Sequence, residues 1–321
     1  MAATGAFDGA YAQPFERDYA RFGRAITEAA ADGLLQDGYC VLDGFFGAGW
    51  ARALLQEQRW LAENGHFEPN RTQFSTAAGE SMQFSKPNIY ERDLHDEGAR
   101  GRVRELAALW EQDELVDALN DKAPGLMLAR GTGARTLKLQ WNRGGGGCFP
   151  VHYDNPGRPN RRRITCLAYL NEDWEEGHGG ELMLYPFCRR WVKIPPLMDR
   201  VVLFQSDRVL HRVLPAAQER FCFTIWLDGG GVNSDDDVTL RLGGAALQDL
   251  RGTARALAAS PAQRSLSRAV YEEEYEESLR ECMEGAEGHG EMLASHRAFL
   301  AGVKKNGPLA KLVGGYIDPK P

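Results

Sequence analysis

Three residues of the chain, His152, Asp154 and His211, carry side chains that bind metal ions. His152 and Asp154 are separated by one residue, and residues i and i+2 of an extended strand point to the same face. An imidazole nitrogen and a carboxylate oxygen can therefore reach one ion, and His211 supplies a third ligand from a later segment. Two histidines and one carboxylate leave three positions of an octahedral ion open, which is typical of non-haem iron(II) that takes a bidentate 2-oxo acid and then dioxygen. We therefore predict an iron(II) site.

The pair of His152 and Asp154 alone is a weak signal of a metal site, because H-x-D occurs by chance in many sequences and a strand histidine is often structural. His178 is an alternative third ligand. It lies in the glycine-rich segment 177–180, and such a turn does not hold a metal ligand rigidly in place. We therefore expect His211 to complete the site.

A strand that begins with an arginine is the second feature with a chemical role. In 220–227, a period of two places Arg220 and Thr224 on one face and four large apolar residues on the other. An arginine among apolar side chains needs an anionic partner, and its planar guanidinium suits a carboxylate. We predict that Arg220 binds the distal carboxylate of 2-oxoglutarate, and a structural salt bridge to a protein carboxylate is the alternative.

Short strands separated by turn residues must position these side chains. Many short strands at this spacing favour a sandwich or barrel, including the double-stranded β-helix of cupin-like proteins. Helical periodicity before and after them predicts an α+β fold with flanking helices. The predicted strands are 39–42, 136–141, 164–170, 181–185, 201–205 and 221–227, and the predicted helices are 50–64, 103–119 and the region from Pro261 onward.

These patterns divide the chain into four parts. They are an N-terminal extension (1–32), a helical support region (33–135), a double-stranded β-helix core (136–228) and a C-terminal helical extension (229–321). Within the second part, the polar segment 66–96 is predicted to be a long loop or hairpin on the substrate side that can close over a bound peptide.

The composition limits the possible partners and compartments. The formal net charge of −7 argues against a nucleic-acid-binding protein, and no run approaches the length of an apolar transmembrane segment. Residues 1–14 lack the apolar core of a secretory signal. Six cysteines without a C-x-x-C pair favour reduced thiols in the cytoplasm or nucleus over a disulfide framework or a zinc site.

Ordered motifs around these residues resemble the catalytic domain of the prolyl 4-hydroxylases, in particular the oxygen-sensing type that modifies hypoxia-inducible factor. The likeness covers about residues 33–228 and is strongest from 137 onward. The matching segments are 152–156 (HYDNP), 164–174 (ITCLAYLNEDW), 179–182 (GGEL), 199–208 (DRVVLFQSDR), His211, Arg220 and 224–226 (TIW).

The resemblance implies a dioxygenase that hydroxylates a prolyl residue of a protein or peptide and releases succinate and carbon dioxide. It implies iron(II) as the metal, 2-oxoglutarate and O2 as co-substrates, and ascorbate as an accessory reductant. Relatives that halogenate lack the carboxylate ligand, so the presence of Asp154 implies hydroxylation.

The resemblance also assigns site residues. His152, Asp154 and His211 match the iron ligands, and Arg220 matches the main anchor of 2-oxoglutarate. The further matches are Tyr169 and Thr224 beside that anchor, Thr165 and Leu167 as pocket residues, and Trp226 with Arg162 or Arg163 at the substrate mouth.

Two positions depart from the family pattern. Relatives carry a tyrosine either ten or three residues before the first histidine, where this chain has Asn142 and Phe149. A hydroxyl near the metal-bound end of 2-oxoglutarate is therefore absent or replaced.

The residues leave several alternatives open. One is a catalytically weak or inactive module that binds 2-oxoglutarate for sensing or interaction. Another is a hydroxylase of a small molecule or of a non-prolyl side chain, because fold and metal site do not dictate the substrate. The basic segment 158–163 either attracts an acidic partner or is a solvated loop.

Overall fold

The part of the chain that the structure describes contains eleven strands. This computed structural model describes residues 5–75, 81–231, 248–284 and 288–314, with side chains except at 72–75 and 81–84. The strands are β1 (Tyr39–Asp43), β2 (Glu68–Ser75), β3 (Ser81–Asp93), β4 (Arg135–Asn142), β5 (Gly147–His152), β6 (Arg162–Tyr169), β7 (Leu182–Pro186), β8 (Val192–Ile194), β9 (Arg200–Gln205), β10 (Val209–Ala216) and β11 (Arg220–Asp228).

The strands form two antiparallel sheets. The larger sheet has the order β1-β9-β6-β11-β4-β3-β2, and the smaller has the order β5-β10-β7-β8. Apolar side chains from both sheets, including Tyr169, Leu184 and Phe204, form one buried cluster between them. Two facing antiparallel sheets with flanking helices confirm the predicted α+β fold with a double-stranded β-helix.

The helices before β4 cover the outer face of the larger sheet. Their apolar faces join the outward residues of β11, Phe221, Phe223, Ile225 and Leu227, in the largest buried cluster. These helices are α1 (Ala20–Ala25), α2 (Glu28–Gln36), α3 (Ala48–Glu63), α4 (Glu97–Arg100), α5 (Arg104–Glu111) and α6 (Glu114–Lys122).

The structure changes one prediction for this region and makes another more definite. The helix predicted over 103–119 is two helices, because the backbone of Gln112 is extended and ends α5. The segment 66–96 forms a hairpin, since β2 pairs with β3 and β3 continues the larger sheet beside β4. Residues 76–80, which fall in this proposed lid, lie outside the described residues.

A second group of helices packs on the smaller sheet. Apolar side chains of β5, β7 and β10 share a buried cluster with them. In the described part of the chain, every helix is too short or too polar to cross a bilayer. The helices are α7 (Leu250–Ala258), α8 (Arg264–Val270), α9 (Glu272–Met283), α10 (His289–Lys305) and α11 (Gly307–Gly314).

The prediction of reduced thiols is wrong for one pair of cysteines. Cys148 of β5 and Cys282 of α9 form a disulfide with their Cα atoms 5.6 Å apart, whereas the other four cysteines are free. The two residues are separated by 134 positions. They meet only because α9 packs along β5, and no local spacing in the sequence reveals that contact.

We expect Leu139→Ala to lower the free energy of unfolding by about 3 kcal/mol, because a fully buried leucine leaves a cavity when it is truncated. Urea denaturation followed by circular dichroism measures this loss. Val41→Ala is the control, since Val41 is 38% exposed and its truncation should cost less than about 0.5 kcal/mol. Equal losses for the two variants would contradict the placement of the main core behind β4.

Candidate active site

The pairing of β5 with β10 brings two histidines together. His152 and His211 are register partners, and their ring centroids are 4.3 Å apart. Asp154 Oδ1 lies 3.5 Å from His152 Nε2 and 3.7 Å from His211 Nε2. One ligand atom from each residue lies within 4.8 Å of the others. Three donors at this spacing can bind one ion, so the structure brings together the residues that the sequence predicted as ligands.

Both histidines have the tautomer that metal binding requires. The Nδ1 atoms donate to backbone carbonyls, at 2.8 Å to Pro150 O and at 3.1 Å to Val209 O. A carbonyl only accepts, so each Nδ1 carries the proton and each Nε2 presents its lone pair to the site.

The charge states also suit an ion such as iron(II). Burial lowers the pKa of His211 to about 4, so this imidazole is neutral at pH 7. Burial opposes ionisation of Asp154, but the neighbouring His211 and His152 hold its pKa below the usual range. The donor set is therefore a neutral His211 and an ionised Asp154 beside His152, and imidazole nitrogens with a carboxylate oxygen suit a non-haem iron(II) centre.

The route by which Asp154 reaches the site differs from the prediction. Strand β5 ends at His152, so Asp154 lies in the following turn and strand alternation does not orient it. Instead, Thr165 Oγ1 of β6 donates to Asp154 Oδ2 at 2.8 Å and is itself bonded to Ser206 Oγ at 2.8 Å. Thr165, predicted as a pocket residue, lines the cavity and also orients the carboxylate.

His178 does not take part in this cluster. Its Nδ1 accepts a hydrogen bond from the backbone N–H of Glu175 at 3.1 Å within its own turn. The geometry therefore selects His211 over His178.

A cavity of about 320 Å³ opens beside the three residues and extends to Arg220. Arg220 is 3% exposed, and its Nη1 contacts Cys222 Sγ at 3.2 Å. Its Nε and Nη2, like the buried hydroxyl of Tyr169, have no hydrogen-bond partner in the described part of the chain. A desolvated guanidinium with unsatisfied N–H groups is costly unless an acceptor is present. Its surroundings suit a ligand carboxylate, and no carboxylate within the described ranges bonds to these two nitrogens.

Gly180 makes room for this arginine. Its backbone has φ +76°, and a Cβ at this position would lie 2.8 Å from Arg220 Cδ. A larger residue would be strained and would displace the Arg220 stem from the cavity. The glycine at 180 thus has a steric reason in the site.

The other predicted site residues divide into two groups. Arg162 lies over the Trp226 ring at 3.9 Å, and both line the cavity. Arg163 instead contacts Asp207 Oδ2 at 3.4 Å and is not among the residues that line the cavity. Successive strand residues point to opposite faces, so only one of the two adjacent arginines can face the site. The predicted residues that line the cavity are His152, Asp154, Arg162, Thr165, Leu167, His211, Arg220, Thr224 and Trp226.

Comparison with known proteins identifies the family. The model of the 2-oxoglutarate and iron(II) oxygenase superfamily matches residues 139–228. A prolyl 4-hydroxylase structure from Phytophthora capsici superposes with a TM-score of 0.84 at 49% identity, covering 97% of this chain and 98% of that one. This chain belongs to the prolyl 4-hydroxylases.

Two further relatives support this membership. The hypoxia-inducible factor prolyl hydroxylase of Caenorhabditis elegans is 30% identical over 208 residues, which are 63% of this chain and 28% of that protein. The chain thus spans less than a third of that relative. A Trichoplax adhaerens prolyl hydroxylase, solved with a hypoxia-inducible factor peptide, has a TM-score of 0.52 at 28% identity and covers 66% of this chain and 90% of its own. The predicted family is confirmed, and iron(II), 2-oxoglutarate and O2 are the metal and co-substrates of its superfamily.

The two departures from the family pattern have different structural outcomes. The Asn142 side chain donates to Gly147 O at 2.9 Å and accepts from Gly144 N at 3.0 Å, so it holds the turn between β4 and β5. Phe149 does line the cavity, and Lys86 Nζ lies 4.5 Å from the centroid of its ring. Asn142 therefore does not replace the missing hydroxyl.

A group of polar residues that the sequence did not reveal also lines the cavity. Lys86 Nζ donates to Asn70 Oδ1 at 2.7 Å, Asn70 donates to Glu91, and Lys138 Nζ lies 3.1 Å from Glu91 Oε1. All four line the cavity, and burial lowers the pKa of Lys86 to about 8. The sequence analysis singled out none of the four, because alternation in 136–141 predicts a strand and not a site, and the hairpin residues had no recognisable pattern.

Removal of a candidate metal ligand should abolish iron binding. We expect His152→Ala and Asp154→Ala each to weaken Fe(II) binding by at least about 100-fold, since even outer-shell changes cost 10- to 100-fold. Anaerobic calorimetry measures the affinity, and circular dichroism verifies the fold. His178→Ala serves as the matched histidine control and should bind Fe(II) as the wild type does. Undiminished binding by His152→Ala would contradict the assignment of the cluster.

Arg220→Ala should weaken 2-oxoglutarate binding by about 100-fold while sparing Fe(II) binding, because charge-assisted hydrogen bonds to the distal carboxylate are lost. Anaerobic titration of the visible charge-transfer band of the chelated 2-oxo acid measures both affinities. Arg200→Ala is the control, because Arg200 pairs with Asp43 outside the cavity. A parallel loss of iron would show that Arg220 supports the metal cluster rather than the co-substrate.

Proposed function

We propose that the chain is an iron(II)- and 2-oxoglutarate-dependent hydroxylase of prolyl residues in a protein or peptide. The substrate C–H bond becomes C–OH with one oxygen atom of O2. The other oxygen atom enters succinate as 2-oxoglutarate loses carbon dioxide. The observation that carries this proposal is the unsatisfied guanidinium of Arg220 in the same cavity as the His152, Asp154 and His211 cluster.

The residues of this chain divide the work between binding and positioning. His152 Nε2, Asp154 Oδ1 and His211 Nε2 would hold iron(II), which supplies the activation of O2 and of the oxo acid when bound. Arg220 pairs with the distal carboxylate, and the Tyr169 and Thr224 hydroxyls assist it at that end.

Water exclusion and shielding come from the cavity walls. Leu167 is 6% exposed and Leu182 and Phe204 are fully buried, and all three line the cavity. Apolar walls around the reacting atoms protect a reactive centre from side reactions with water. Thr165 keeps Asp154 turned toward the metal position through its bond to the outer oxygen.

A prolyl peptide is the substrate class that the relatives favour, because the Trichoplax adhaerens enzyme was solved with a hypoxia-inducible factor peptide. In this chain, Arg162 stacked on Trp226 lines the cavity together with Lys86 of the hairpin and Lys138 of β4, whose Nζ lies 6.0 Å from the centroid of the Trp226 ring. We propose that the peptide lies against these residues. The intact ligand cluster and the unsatisfied Arg220 count against an inactive module.

The remaining assignments are proposals as well. We propose residues 136–228 as the catalytic core, 33–135 as its support, and 1–32 and 229–321 as extensions. Four free cysteines support a cytoplasmic or nuclear location, whereas the disulfide of Cys148 with Cys282 counts against it. No nucleic-acid partner is proposed, and ascorbate as an accessory reductant stays a prediction.

Hydroxylation of proline is tested by incubating the iron-loaded protein with 2-oxoglutarate, O2 and a library of proline-containing peptides. We expect one or more peptides to gain one oxygen atom at proline, with one succinate formed per hydroxylation. The control is each responding peptide with that proline replaced by alanine, which should not gain oxygen. Succinate formation with a small molecule or a non-prolyl peptide, and none with prolyl peptides, would favour the alternative substrates.

A further inference from the structure

Strand β5, which ends at the ligand His152, is an edge strand of the smaller sheet. The C-terminal helices cover the edge that has no strand neighbour. β5 lies at the end of the smaller sheet and pairs there with β10 alone. An edge strand leaves backbone N–H groups without strand partners. On this edge, Val151 N donates to Ser278 Oγ of α9 at 3.1 Å, and Cys148 is joined to Cys282 of the same helix.

The turn that carries Asp154 is held from the same side. The Tyr153 hydroxyl donates to Ser267 Oγ of α8 at 2.6 Å, and the ring packs against the buried apolar cluster of these helices. The carbonyl of Asn155, a fully buried residue, accepts from Arg264 Nη1 at 3.0 Å. Residues 151, 153 and 155 thus contact the helices, while 152 and 154 face the metal position.

The second histidine has the same kind of support. Arg212 follows His211 on β10 and is 2% exposed. Its guanidinium forms an ion pair with Glu281 of α9. Helix α9 therefore contacts both strands that bear histidine ligands, in each case through a residue next to the ligand.

We propose that α8 and α9 are a positioning element for the metal site. They fix the backbone of 151–155 and of 211–212, so that the three ligands converge before a metal binds. Ligands that are already ordered lose less conformational freedom on binding, which raises affinity. Ser278 and Tyr153 are the positioning residues with the most direct contacts, and both helices lie outside the 139–228 match to the superfamily model. This inference rests on the proposed function, because it assumes that iron binds at the cluster.

The test is the Fe(II) affinity of Ser278→Ala and Tyr153→Phe. Each substitution removes one hydrogen bond between the helices and the ligand segment, and we expect the Kd for Fe(II) to rise about fivefold. Hydrogen–deuterium exchange of the metal-free protein should be faster at the amides of 151–155 in both variants. Calorimetry supplies the affinity, and neither readout depends on turnover.

Tyr271→Phe is the matched control. The Tyr271 hydroxyl is buried in the same helical interface, but it donates to Pro186 O at the end of β7 and to Arg189 O. Loss of the Tyr271 hydroxyl should lower Tm about as much as loss of the Ser278 or Tyr153 hydroxyl does. It should leave the Kd for Fe(II) and the hydrogen–deuterium exchange of the amides of 151–155 unchanged.

The outcomes separate this inference from the proposed function. A selective rise in Kd for Ser278→Ala and Tyr153→Phe supports the positioning role. Unchanged Kd values in both, or an equal rise in Tyr271→Phe, would overturn it while leaving the metal site intact. Absence of Fe(II) binding in the wild type would overturn the proposed function itself, and the positioning role with it.

Discussion

The register between β5 and β10 is the constraint on which the site depends. His152 pairs with His211, whereas the next pair is Phe149 with Val213, so β5 contains one more residue than β10 over this stretch. Such a β-bulge is tolerated at an edge strand, and Pro150, which has no N–H to pair, falls inside it. A slip of one residue would turn one histidine to the opposite face and separate the two nitrogens. The metal site therefore exists only in this pairing.

Electrostatics explains why the cavity suits a dicarboxylate on a metal. At one end, the Arg220 guanidinium is desolvated, and its Nε and Nη2 have no hydrogen-bond partner among the described residues. At the other, two imidazoles and the Asp154 carboxylate leave room for a cation. The arginine end is costly without an acceptor, because a buried charge without a partner is unfavourable. A ligand that carries a carboxylate to Arg220 and a chelating end to the metal suits both ends.

Support for the site comes from parts of the chain that are distant in sequence. The β2–β3 hairpin supplies Lys86, Asn70 and Glu91 to one wall, and the C-terminal helices brace the strand and turn of His152 and Asp154 from outside. Both regions flank the strands that carry the chemistry. The edge strand β5 therefore has helices beside it where another sheet would place a further strand.

The sequence by itself indicated the three candidate metal ligands, the candidate anchoring arginine and the strand-rich core, because strand alternation and turn residues are local properties. Arg220 and Thr224 face the cavity, and Phe221 and Phe223 face the core, as period two predicts. Local pattern did not reveal that Asp154 lies beyond the strand and is turned by Thr165, or that Arg162 rather than Arg163 lines the cavity. The pairing of Cys148 with Cys282, the hairpin wall and the bracing by α9 also depend on contacts between distant segments. Only the tertiary structure decides these, because packing, and not spacing along the chain, brings such residues together.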